Sequence, residues 1–153
     1  QPGADDATAL APAEILRRVD ELRTTGHGVL VFRRRELYRM SELVNRFTAA
    51  PIRFVTGIST LIGVFQDQEN EALAGSLLEA LARLFARNVR VYAYPMRADV
   101  LAERLDASFI SAGEGAPAGE SLVTVDHLRP VFPYGHLYQY LLHTGFIVPL
   151  ASS

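Results

Sequence analysis

The residues best suited to chemistry are Thr56, Gly57, Ser59 and Thr60 in the stretch TGIST, together with Arg33, Arg34, Arg35 and Arg97. A glycine turn opening a helix exposes backbone N–H groups, the hydroxyls add donors, and guanidinium groups grip phosphate or carboxylate oxygens in pairs. Such a set would hold a small anion, a nucleotide or a phosphorylated metabolite. The same residues admit a plainer role, with Ser59 or Thr60 as a helix N-cap, Gly57 as a tight turn and Glu36 pairing with the arginine run. Other chemistry is thinner. Asp126 and His127 set an acid beside a base, but neighbours on a strand point to opposite faces. His136 and His143 stand seven apart with no carboxylate at ligand spacing between them, so no metal is expected. No GxSxG elbow is present to complete a triad.

What the chain lacks narrows the classes further. It has no cysteine, and all 15 basic residues are arginine. Thiol nucleophiles, disulfides, cysteine metal sites, lysine Schiff bases and the lysine of a phosphate loop are therefore excluded. A formal net charge of -2 argues against nucleic acid, whose binders carry a basic excess. No apolar run approaches the ~20 residues of a membrane span. The polar, acidic N-terminus lacks the pattern of a secretory signal, which predicts a cytoplasmic chain. A start at Gln1 rather than methionine predicts a piece of something longer. No cofactor is indicated.

The elements that must position these residues follow from periodicity. Val29–Phe32 and Ile52–Val55 are apolar runs of strand length, and Leu37, Met40, Leu43, Val44 and Phe47 between them fall at helical spacing. Residues 1–11 read as a flexible tail and residues 12–153 as one domain, opened by a helix over 13–25 with Gly26 as its cap. Leu73 to Phe85 predicts a strong amphipathic helix that Asn88 ends before the strand Val89–Tyr94. In that strand Val89, Val91 and Ala93 share an apolar face, and Arg90, Tyr92 and Tyr94 share an amphipathic one. A helix over 98–105, a flexible loop over 111–120, a strand over 122–125 and a helix over 136–143 complete the reading. The alternation predicts a three-layer, Rossmann-like α/β fold with a mainly parallel sheet of four or five strands and helices on both faces. In such a sheet ligands bind beyond the carboxyl ends of the strands, where Thr56–Thr60, Tyr94 and Arg97 would lie.

The segments FRRRELYRMSELVNRF, PIRFVTGISTLIGVFQ, LLEALARLFARNVRVYAYPM and HLYQYLLHTGFIVPL, in that order over most of Gly28 to Leu150, resemble the C-terminal region of large bacterial and cyanobacterial proteins. Those are described as nicotinamide- or nicotinate-nucleotide adenylyltransferases or as TonB-dependent receptors. The adenylyltransferase signature, a strand followed by a GxFxPxHxGH-like turn, has no match here, so no catalytic residue carries over. The resemblance implies a domain from the end of a larger protein.

The expected function is a non-catalytic binding or assembly domain. The alternative is a nucleotide- or phosphometabolite-binding enzyme domain linked to NAD metabolism. Leu137, Tyr138, Tyr140, Leu141, Leu142, Phe146, Ile147 and Val148 supply apolar surface for a homo-oligomer or a partner domain, with burial in the chain's own core as the alternative.

Overall fold

A computed structural model of the chain describes residues 11–32, 36–66, 68–104, 110–112 and 117–150. They belong to two units, residues 1–33 and 34–153. In the first, Pro12 at the opening position starts a helix, α1 (Pro12–Thr24), and Gly26 at φ 82° follows its end. None of its side chains is buried. Arg17 and Arg18 bridge to Glu14 at 2.8 Å and Arg17 also pairs with Glu21, so the helix is laced along its exposed face. The strand expected over Val29–Phe32 is not formed. Leu30 and Val31 are 75% and 63% exposed. Four apolar residues become a strand only when a neighbour pairs with their backbone, and none does so among the described residues.

The second unit is a mixed α/β structure. Its sheet consists of β1 (Ile52–Gly57), β2 (Val89–Tyr94) and β7 (Ile147–Pro149), all parallel, in the order β1-β2-β7. Between β1 and β2 lie α3 (Ile58–Gln66), a 3₁₀ turn (Gln68–Ala72) and α4 (Ser76–Leu84). Between β2 and β7 the chain forms β3 (Met96–Arg97), α5 (Ala98–Arg104), β4 (Ile110–Ala112), β5 (Leu122–Val123), β6 (Leu128–Pro130) and α6 (Gly135–His143). The short strands pair antiparallel, β3 with β5 and β4 with β6. The strand predicted over 122–125 is thus outside the parallel sheet, and Ser111 and Ala112 of the predicted loop are paired with β6. Residues 113–116 of that loop, residues 1–10 of the expected tail, and Arg33, Arg34 and Arg35 lie outside the described residues.

Strand order decides where the core sits. Parallel crossovers are right-handed, so two successive steps in one direction across a sheet put both connections on the same face. Burial agrees. Val89, Val91, Ala93 and Ile147 are almost completely covered and join one cluster with Ile58, Leu61 and Ile62 of α3, Leu81 and Leu84 of α4, and Tyr138 and Leu141 of α6. At roughly 1.5–3 kcal/mol per buried large aliphatic or aromatic side chain, this cluster dominates the stability of the unit. The amphipathic half of the alternation faces away from it.

The helix α2 (Leu37–Val44) packs on α4, and each helix end is completed by the other. Ser41, fully buried, donates its hydroxyl to the carbonyl of Leu84 at 2.8 Å, while Arg87 donates to the carbonyl of Asn45 at 3.0 Å. Both acceptors are last-turn carbonyls with no partner inside their own helix. Arg87 and Asn88 take positive φ, 55° and 62°, to turn the chain from α4 into β2.

Candidate functional site

The predicted anion loop is at the carboxyl edge of β1, as expected. Gly57 ends the strand and α3 begins at Ile58, with Ser59 half-buried and Thr60 exposed. Gly57 is closely approached by its neighbour. A methyl group there would stand 3.1 Å from the Tyr94 hydroxyl and 3.2 Å from its ring, because the phenol lies against the glycine from the paired position on β2.

Arg97 follows β2 on the adjacent strand end, but its guanidinium is committed elsewhere. It pairs with Asp99 at 2.5 Å and Glu120 at 3.2 Å. The Arg97 hydrogen bonds hold the Asp99 carboxyl below its ordinary range, and Asp99 in turn keeps Arg97 charged. An anion at Thr56–Thr60 would have to displace two carboxylates to recruit this arginine. None of the three principal clefts among the described residues is lined by Thr56, Gly57, Ser59, Thr60 or Arg97.

The C-terminal residues chosen as an interface are largely interior. Tyr138, Leu141 and Ile147 are 0%, 4% and 1% exposed, and Leu137, Leu142 and Phe146 pack against the core. The Phe85 and Phe146 rings lie 5.0 Å apart. Tyr138 meets Phe65 edge-on at 5.7 Å and donates its hydroxyl to the Val125 carbonyl at 2.8 Å. Burial, reinforced by the Asp126 carboxylate, pushes its phenol far above the usual range, so it remains a donor. Of the six residues Leu137, Tyr138, Tyr140, Leu141, Phe146 and Ile147, Tyr140 alone is largely exposed, at 58%.

His127, expected to sit opposite Asp126 on a strand, is instead in a 3₁₀ turn (Val125–His127). Its Nδ1 accepts the Thr124 backbone N–H at 3.0 Å in a capping arrangement. Among the described residues, no group of three or more histidine and carboxylate side chains is placed to hold a metal ion.

The surface that does stand out was visible in the sequence only as an alternation. On the side of the sheet away from the core, the register sets Arg53 beside Arg90, Val55 beside Tyr92 beside Val148, and Gly57 beside Tyr94. Val55 is 65% exposed and Tyr94 49%, and Arg53 and Arg90 are exposed. Arg53 donates to the Asn88 carbonyl at 2.7 Å. The face therefore has a cationic end, an apolar band and a phenol-covered glycine, and its strands contribute no acidic residue. Comparison with family models, with curated proteins and with solved structures found no match to this chain.

Proposed function

We propose that this chain is a non-catalytic assembly domain whose open sheet face receives an amphipathic helix with acidic residues beside its apolar stripe. One observation carries the reading: among the described residues, α3, α4 and α6 join the core on one side of the parallel sheet, while Val55 and Tyr94 are exposed on the other. Parallel sheets occur almost only with both faces covered, because their strands have apolar surface to hide on each side. A docked helix supplies the missing layer and makes the three-layer, Rossmann-like arrangement a property of the complex.

Charge selects the helix. Arg53 and Arg90 are register partners and give one end of the face two positive charges. A carboxylate there pairs with them, while Val55, Tyr92 and Val148 take the leucines. The resemblance to the end of larger bacterial proteins fits a domain whose covering layer comes from another segment or another protein. The nucleotide reading would rest on the start of α3 alone, since Arg97 is already held by two carboxylates, and we place it second.

The test uses two synthetic amphipathic helices with identical leucine faces, one flanked by glutamates and one by lysines. Fluorescence anisotropy with the full chain should show saturable binding of the glutamate helix, lost in Val55→Asp and transferred to the lysine helix in the double variant Arg53→Glu, Arg90→Glu. Equal binding of both helices, or binding indifferent to Val55→Asp, would remove the sheet face as the docking site.

A further inference from the structure

Between α2 and α4 runs a cleft of about 840 Å³, within the size range of small-molecule sites. Ala82 and Ala86 are small and leave room between the two helices. The charges along it are unevenly matched. At one end Glu42 of α2 and Glu79 of α4 are both held by Arg83, at 3.3 Å and 2.5 Å, and Glu79 also accepts the Gly75 N–H at 2.8 Å. These two are the only acids in the lining, so both are already engaged.

Four residues beyond Glu42 stands Arg46, and four beyond Arg83 stands Arg87, both lining the same cleft. Arg87 donates one Nη1 hydrogen to the Asn45 carbonyl at 3.0 Å, which anchors its guanidinium next to the residue that precedes Arg46. Its other N–H groups have no partner among the described residues, and Arg46 has none for any of its own. Two carbonyls that would oppose an anion at these helix ends are covered, that of Leu84 by Ser41 and that of Asn45 by Arg87. We infer that the Arg46–Arg87 end of this cleft binds the phosphate group of a small phosphate monoester. The three terminal oxygens of a phosphate can take both guanidinium forks, whereas the two oxygens of a carboxylate are filled by one. Here, unlike at Thr56–Thr60, the arginines are not held by carboxylates. The site shares no residue with the sheet face and stands or falls apart from the docking proposal.

Glycerol 3-phosphate, glycerate and glycerol share one small body and differ in the group they offer. Titrations of the ¹⁵N-labelled full chain should give saturable amide shifts for glycerol 3-phosphate centred on Asn45, Arg46, Ala86 and Arg87, with a dissociation constant on the order of 1 mM for a ligand this small. Glycerate should bind about fivefold more weakly or worse, and glycerol should give no shift there. Added salt should weaken the binding, because exposed charges are screened. Arg46→Gln removes a side chain that pairs with nothing among the described residues, and should weaken glycerol 3-phosphate roughly five- to tenfold without altering the fold. Arg104→Gln, the same change of charge at an exposed position on α5, should leave binding unchanged. No saturable response to glycerol 3-phosphate, glycerate binding as tightly, glycerol shifting the same amides, or an Arg46→Gln chain that binds no more weakly than Arg104→Gln would overturn the assignment.

Discussion

Replacing Tyr138 by phenylalanine distinguishes a core tyrosine from an interface tyrosine with the loss of one atom. The ring keeps its place against Phe65, and the deleted hydroxyl leaves the Val125 carbonyl without its donor. Val125 is itself fully buried, so water does not substitute at the surface. Leaving one buried acceptor unpaired costs roughly 1–3 kcal/mol. With a urea slope of about 2 kcal/mol per molar, the midpoint should fall by about 0.5–1.5 M at constant slope. The thermal midpoint should drop by several degrees, at roughly 2–8 °C per kcal/mol. Tyr140→Phe, at an exposed position on the same helix, should stay within about 0.5 kcal/mol of the parent. Sedimentation velocity on both variants should show the same association state as the parent. A Tyr138→Phe chain with unchanged urea midpoint, or with an altered oligomeric state at unchanged stability, would refute the assignment of this residue to the core.

Two further outcomes follow from the helix ends and the ion pairs. Ser41→Ala removes the donor to the Leu84 carbonyl and should lower the urea midpoint by the equivalent of about 1–3 kcal/mol; a change below about 0.5 kcal/mol would show that α2 and α4 do not complete each other's ends. The hydrogen bonds from Arg17 and Arg18 lower the Glu14 carboxyl from 4.5 to about 2. A carboxyl lowered by folding stabilises above its ordinary range and loses that contribution as pH falls through its folded value. The helical Cα shifts of residues 12–24 should therefore hold down to about pH 4 and decline toward pH 2, and NMR shifts already declining at pH 6 would contradict the pairing.

Much of the fold was legible because its signals are local. Ile52–Val55 and Val89–Tyr94 were read as parallel strands from their apolar runs. The apolar stripe over Leu73–Phe85 and the apolar run over 136–143 mark the helices that form over 76–84 and 135–143, and Asn88, which tolerates positive φ, marks the stop of the first. What escaped depended on partners distant in the chain. Ile147–Pro149 is a strand because Val91 donates to the Phe146 carbonyl at 2.9 Å and the register continues to Pro149. The equally apolar Leu30 and Val31 are not in a strand, and no composition rule separates the two runs. Arg97 illustrates the same limit for the site. Its pairing with Asp99 is a two-residue reach that the sequence contains, whereas Glu120 arrives only when β5 lies against β3.

The open face itself was half-written in the chain. A parallel strand covered on both sides reads as continuous apolar sequence, whereas Ile52-Arg53-Phe54-Val55 and Val89-Arg90-Val91-Tyr92 each place an arginine at the second position. Two strands with the same interruption, brought into register, put both arginines on one face and leave the other for the core. The interruption therefore records that this face was not built to be sealed by the domain's own greasy helices. Val55 and Tyr94 are exposed on the same face. On the proposed docking role, a surface apolar in its centre, cationic at one end and lacking acidic residues on its strands calls for a polar-edged partner that brings the acids with it.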